Sequence, residues 1–300
     1  MHRALLPFEF SEPASVEEAV ALVDGGRARA LAGGVDLVLK MRLRQETPER
    51  VVSLQKIAGL DHVRVDAHGG GALHIGALAT LRQVEQSAAV TQGWPLLAEA
   101  IASIVSMQTK VMGTLVGNLC VGTPASDVAP ALFALGARVK IAGVGDERDI
   151  AVEDFFLGPG VTAVRPHELV TEVVVPARPV GSAGRFLKLS KTADDIAKVN
   201  VAVSVAFSRG TCAHARIAIG SAAPTPVRAV AAEELLLRED WCPATAKAAA
   251  EAAARSVRPI SDVRSTADYR AEMVKVLVRD ALTQAADGAG VLDGHDGKEA

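Results

Sequence analysis

The chain of 300 residues lacks most of what would mark a self-contained catalyst. Its three cysteines, Cys120, Cys212 and Cys242, are scattered and form no C-x-x-C pair. That spacing argues against an iron–sulfur or zinc site made by this chain alone, and the thiols read as small packed hydrophobes. The seven histidines are equally dispersed and read as surface or packing residues. Aromatic residues make up 3% of the chain, with Tyr269 the single tyrosine, and the formal charge is -3 with no basic cluster. A nucleic-acid groove or stacking platform is therefore excluded. No apolar run approaches the roughly 20 residues a bilayer requires, and Met1 to Glu9 has no signal-peptide core, so a cytoplasmic protein is expected. There is no G-x-G-x-x-G in an early strand–helix–strand unit, which disfavours an ordinary nicotinamide site. A nucleophile, catalytic dyad or metal cluster is also missing, which suits a redox relay better than a hydrolase.

What the sequence does have is a large apolar fraction, 49%, enough to bury two or three packed subdomains. It also has two glycine turns far apart in sequence, Ala32-Gly33-Gly34-Val35-Asp36-Leu37 and Thr114-Leu115-Val116-Gly117-Asn118-Leu119-Cys120. Each follows an apolar segment. Glycine lets backbone amides approach anionic oxygens closely, and a helix starting just beyond adds positive dipole character at the same point. The pair suggests a clamp for a pyrophosphate.

Around the first turn, Ser15 with Glu18 reads as a capping box for a helix ending at Leu22, and Ala28 to Ala32 reads as a strand. Asp36 to Leu43 then shows helical spacing, and Val51 to Leu54 is a second strand. Leu60 to Val65 and Gly69 to Gly76 suggest a hairpin about a glycine turn. One helix is expected from Pro95 to about Val111, another from Val128 to Leu135 with Asp127 as its N-cap, and a strand from Arg138 to Ala142. Past a Pro/Gly-rich boundary at 176–184, strands are expected at 185–189, 201–208 and 214–221, followed by helices at 245–255 and 268–286. The expected division is 1–55 and 56–177 for two cofactor-binding subdomains, 178–286 for a C-terminal α+β subdomain, and 287–300 for a mobile tail.

Several of these segments, in this order, resemble the FAD-binding medium subunit of molybdenum hydroxylases. They are Phe8-Glu9-Phe10-Ser11-Glu12-Pro13, Ala32-Gly33-Gly34, Gly76-Ala77-Leu78-Ala79-Thr80-Leu81, the stretch from Gly113 to Pro130, Asp154-Phe155-Phe156-Leu157-Gly158, Asp194-Asp195-Ile196-Ala197, and Asp262-Val263-Arg264 with Tyr269-Arg270. The resemblance implies an α+β fold of the vanillyl-alcohol-oxidase and UDP-N-acetylenolpyruvylglucosamine-reductase type. Two subdomains would hold an extended FAD, flanked by a C-terminal α+β subdomain. It further implies that Ala32, Gly33, Gly34, Val35, Asp36 and Leu37 offer amides to the pyrophosphate, and that Thr114, Gly117 and Asn118 meet it from the second subdomain. Asp127 would lie near sugar or ribityl hydroxyls, Lys188 near the adenine side, and Asp195 and Ile196 beside the isoalloxazine with Ile196 covering one face.

In function, the resemblance implies an electron-transfer subunit of a cytoplasmic molybdenum hydroxylase. Its partners would be a large molybdopterin subunit and a small subunit with two 2Fe-2S clusters, in a dimer of heterotrimers. The sequence departs from the family at Val116, where the family has glycine, and at Val121, where it has histidine; the usual basic residue before the second turn is Lys110. A β-branched residue tolerates positive φ badly, so Val116 would weaken FAD binding if the turn needs that freedom. The alternative readings are a flavin-free scaffold subunit or a stand-alone flavin oxidoreductase of the same fold.

Overall fold

The computed structural model describes residues 4–23, 26–66, 71–208 and 210–291. The chain begins with β1 (Glu9–Ser11), α1 (Val16–Leu22), β2 (Ala28–Leu31), α2 (Val35–Leu43) and β3 (Arg50–Ser53). The strands are parallel in the order β1-β3-β2, as helical crossovers between successive strands require. Ser15 caps α1 by accepting from the Glu18 amide at 3.2 Å, but Glu18 Oε2 accepts from the Ala14 amide at 2.9 Å. The reciprocal half of the expected capping box thus closes one residue early.

A second sheet starts with β4 (Val63–Val65) and β5 (Leu73–Gly76), an antiparallel pair. Gly69 and Gly70, in the expected hairpin turn, lie outside the described residues. Six helices follow: α3 (Leu81–Gln86), α4 (Ala88–Gly93), α5 (Pro95–Ala102), α6 (Met107–Met112), α7 (Leu115–Cys120) and α8 (Val128–Leu135). The single helix expected over 95–111 is broken. Ser103 Oγ donates to the Ala100 carbonyl at 2.7 Å, and Ser106 Oγ accepts from the Thr109 amide at 3.3 Å to start α6. Such local side-chain bonds compete with helix continuation.

The chain then adds β6 (Arg138–Ala142), β7 (Glu147–Ala151), the hairpin β8 (Phe156–Gly158) and β9 (Val161–Thr162), and β10 (Leu169–Val175). The second sheet runs β4-β5-β10-β6-β7. On its outer face Glu172 accepts from Lys140 Nζ at 2.7 Å and lies 2.8 Å from His62 Nε2 and 3.0 Å from His74 Nδ1. Two histidines that look unrelated in sequence therefore converge on one buried carboxylate. Burial pushes that carboxyl up, but hydrogen bonds from Lys140, His74 and His62 outweigh it and hold the group down at about 2.

The last portion comprises β11 (Ser182–Leu189), β12 (Val199–Ser208), β13 (Thr211–Gly220) and β14 (Val227–Arg228) in one antiparallel sheet, with α9 (Val230–Arg238), α10 (Pro243–Arg255) and α11 (Ala267–Gly288). The helix α9 has no counterpart in the sequence expectations. Because α11 continues through Gly288, the expected mobile tail starts too early, and 292–300 lie outside the described residues. Val199, Val201, Val203 and Val205 of β12 join the core formed with these helices. Ala202 points the other way, into the core around α8.

The helix α8 is the centre of the molecule. All eight of its residues, Val128–Leu135, are buried, and it packs on both β12 and β13. A helix apolar on every side belongs between layers, and here it joins the second and third sheets. Polar ties reinforce the contact: Arg216 of β13 donates to the Phe133 carbonyl at 3.0 Å and pairs with Glu153. Among the described residues, no helix is long and apolar enough to cross a membrane.

Candidate functional site

The first glycine turn meets the chain just before the second, Gly33 packing on the Met112–Gly113 link, 80 residues away in sequence, that leads into Thr114. A Cβ on Gly33 would lie 1.8 Å from the Met112 carbonyl oxygen and 3.0 Å from Gly113 Cα, so only glycine permits this approach. Gly34 adopts φ 72, which turns the chain from β2 into α2. The Gln55 side chain donates to the Ala32 carbonyl at 3.1 Å and holds the turn from behind.

No side chain caps α2. Its first-turn amides, from Val35, Asp36 and Leu37, have no partner within the helix, because the first carbonyl donated to is Gly34, by Val38 at 3.1 Å. The Asp36 carboxylate is engaged by Lys40 Nζ at 2.8 Å, which offsets its charge near those amides. The Val35 side chain would sit 3.6 Å from a methyl on Gly113, so it packs at the junction of the two turns.

In the second turn, Thr114 Oγ1 accepts from the Gly117 amide at 2.9 Å, leaving its own proton available to an incoming oxygen. The Leu115 amide donates to Ala79 at 3.1 Å and the Asn118 amide to Thr114 at 3.0 Å, so Val116 supplies the remaining first-turn amide of α7. Val116 itself is helical and 4% exposed, packed in the core of the second sheet. The condition under which Val116 would weaken FAD binding is not met, because the turn does not use positive φ there: the non-glycine positions with positive φ among the described residues are Arg44, His167 and Ser221. Lys110 is consumed in a buried ion pair with Glu85 at 2.7 Å. Val121 is the half-buried C-cap of α7, its amide donating to the Gly117 carbonyl at 3.2 Å.

Asn118 leads from the second turn to the start of α8, since its Oδ1 accepts from Ser126 Oγ at 2.7 Å. Ser126 Oγ also accepts from the Ala129 amide at 3.1 Å, and the Asp127 side chain makes no capping bond. Capping therefore falls to Ser126, correcting the N-cap expectation for Asp127. The freed carboxylate meets one rung of the third sheet, in which Lys188, Asn200 and Gly220 are register partners. Lys188 Nζ lies 2.7 Å from Asp127 Oδ2, and Asn200 Nδ2 donates to Asp127 Oδ1 at 2.8 Å. A Cβ on Gly220 would fall 2.2 Å from Asn200 Oδ1, so glycine makes room for the amide. Burial pushes the Asp127 carboxyl above its ordinary range, against the pull of Lys188 and Asn200.

Lys188 and Asp127, assigned to different parts of the cofactor by resemblance, thus form one unit. Sequence reading missed Ser126 and Asn200. A signal for Asn200 was present, because with Ser204 it interrupts the apolar Val199-to-Val205 run, and it carries the larger polar group. Asp195 and Ile196 lie on the loop between β11 and β12, with Ile196 46% exposed although apolar. Of the cysteines, Cys212 is buried as expected, whereas Cys120 and Cys242 are exposed.

These residues supply what an extended dinucleotide needs: uncapped helical amides and a hydroxyl donor at one place, a carboxylate–ammonium pair at another, and an exposed aliphatic side chain at a third. They fit FAD. Residues 6–178 match the family described as the FAD binding domain in molybdopterin dehydrogenase, and residues 185–285 match the CO dehydrogenase flavoprotein C-terminal domain. The chain belongs to this family of FAD-binding subunits of molybdopterin dehydrogenases. It is 34% identical over 280 residues to the carbon monoxide dehydrogenase medium chain of Hydrogenophaga pseudoflava, covering 93% of this chain and 96% of that one. It is 32% identical to the nicotine 6-hydroxylase medium subunit of Paenarthrobacter nicotinovorans, with 92% and 96% covered. A solved structure of the Hydrogenophaga carbon monoxide dehydrogenase superposes with a TM-score of 0.91 at 35% identity, covering 95% of this chain and 99% of that chain. The fold is therefore that of the flavin subunits, with its C-terminal domain.

Proposed function

We propose that this chain is the FAD-carrying electron-transfer subunit of a molybdenum-containing hydroxylase or dehydrogenase, relaying electrons from 2Fe-2S clusters of a small partner subunit to an external acceptor. A large molybdopterin subunit would oxidise the substrate, and the assembly would be a dimer of heterotrimers. Bound FAD would supply the chemistry that this chain's side chains lack, accepting electrons singly or in pairs and releasing them to an acceptor.

The observation that carries this reading is the backbone contact of Gly33 with Met112 and Gly113, which brings two amide-bearing helix starts together. The amides of Val35, Asp36, Leu37 and Val116, with the Thr114 hydroxyl, would donate to the pyrophosphate. Asp127 would accept from a sugar or ribityl hydroxyl while Lys188 and Asn200 hold it in place. Ile196 would cover one ring face and keep water from it. The flavin-free scaffold reading was favoured by Val116, and the buried helical position of that residue speaks against it.

The test is purification with the two neighbouring subunits and anaerobic mixing with the large subunit's substrate. Bleaching of the flavin band, lost when the small subunit is omitted, is expected. Bleaching that persists without the small subunit would overturn the relay.

A further inference from the structure

The loop carrying Asp195 and Ile196 is held at its base and almost nowhere else. Residues 191–196 are all exposed. Within the loop the bonds are local: the Asp195 amide donates to the Thr192 carbonyl at 3.2 Å, and Asp195 Oδ2 accepts from the Thr192 amide at 3.2 Å. The Lys198 amide closes the base on the Leu189 carbonyl at 2.7 Å.

The other side of that base is gripped from α11. Arg270, 4% exposed, donates from Nη1 to the Lys198 carbonyl at 2.9 Å and to the Ser221 carbonyl at 2.8 Å. Its Nη2 donates to Asp262 Oδ1 at 2.8 Å, and that same oxygen accepts from the amides of Arg264 at 2.8 Å and Ser265 at 3.1 Å. Ser221, the residue after β13, has a positive-φ conformation, φ 62, and its amide donates to the Pro124 carbonyl at 2.8 Å. Pro124 lies three residues before Asp127. One guanidinium thus joins the segment next to Ile196 to the segment next to Asp127. The Tyr269 ring adds a second hold, 6.0 Å from Lys198 Nζ.

We propose that Arg270, oriented by Asp262, is the positioning residue that sets the 190–198 loop against the Asp127 corner of the flavin site. The proposal rests on the reading of Ile196 as covering the flavin. Arginine suits the task because its rigid planar fork reaches three acceptors at once, where a lysine ammonium on a flexible stem would not keep all three. The adjoining sheet does not depend on it, because α11 is fastened to the core by Val274, Val278 and Leu282. Loss of the fork should therefore loosen the loop and spare the strands.

The test uses the full chain with Arg270→Lys and, as the milder change, Asp262→Asn. Without FAD, amide exchange over 190–198 is expected to quicken about tenfold or more, with amides of 201–205 within about twofold of the parent. With FAD bound, the visible band and the midpoint potential should shift, and Arg270→Lys should recover part of what Arg270→Gln loses. Unchanged loop exchange, or a rise matched throughout β12, would overturn the proposal. Faster loop exchange with an unaltered flavin band and potential would leave Arg270 holding the loop, and would overturn instead the placement of Ile196 beside the flavin. If the Arg270 variants fail to fold, Asp262→Asn decides by the same readouts, since its carboxylate is reached from the protein exterior.

Discussion

Replacing Gly33 with alanine tests the contact between the two turns. The added methyl would sit 1.8 Å from the Met112 carbonyl oxygen, 2.7 Å from its carbonyl carbon and 3.0 Å from Gly113 Cα. All three are backbone atoms that cannot rotate aside. Restoring an ordinary carbon–oxygen contact requires the turns to part by about 1.5 Å. Overpacking of that kind costs about 1–3 kcal/mol, or a fall in Tm of roughly 2–10 °C for a chain of this size. The larger effect should be on cofactor binding. If the turns hold the pyrophosphate as proposed, parting them would break one or two charge-assisted hydrogen bonds, and FAD affinity should fall about 10- to 1,000-fold. Gly26→Ala is the control, because a methyl there meets nothing within 4 Å and should change stability by less than about 0.5 kcal/mol. Fluorescence titration of FAD and thermal melting of both variants make the assay. If Gly33→Ala binds FAD and melts as Gly26→Ala does, the interlocked clamp is wrong.

Val116→Gly should lower stability by about 2–3 kcal/mol in urea unfolding without tightening FAD binding, because it empties a core position and weakens a helix. Lys188→Met should cost about 3–5 kcal/mol and exceed Asp127→Asn, since it leaves a buried carboxylate with no cationic partner. Glu172 titrates lower when folded than when unfolded, so its contribution is complete above the ordinary value of 4.5 and is lost as pH falls toward about 2. Glu172→Gln should therefore remove about 1–3 kcal/mol at neutral pH, less than the full shift because solvent screens its partly exposed partner Lys140, and flatten the stability profile between those limits, as read by denaturant unfolding at several pH values.

The strand–turn–helix around Gly33 was legible because a two-glycine break separates two clear periodicities. The helix Val128–Leu135 was equally clear, as an unbroken apolar run between a polar corner and Gly136. Other features turned on competition between neighbouring residues. Ser103 and Ser106 break a helix whose apolar spacing continues past them, and Ser126 takes the capping role that Asp127 alone would suggest. Whether the second turn needs positive φ at Val116 was left open by the sequence, and the structure answers it: the turn opens directly into a helix, where a β-branched residue is tolerated. The pairing of Asp127 with Lys188 and Asn200 depends on strand register across β11 and β12, which local pattern does not encode. Arg270 and Lys198 are 72 residues apart, and only the packing of α11 on the sheet brings them together.

The most direct measurement is the FAD content of the purified chain after incubation with excess FAD and desalting, by visible absorbance and by release on denaturation. About one FAD per folded chain, reduced sharply by Gly33→Ala, is the predicted result. A folded chain that retains no flavin, alone or with its partner subunits, would contradict the account.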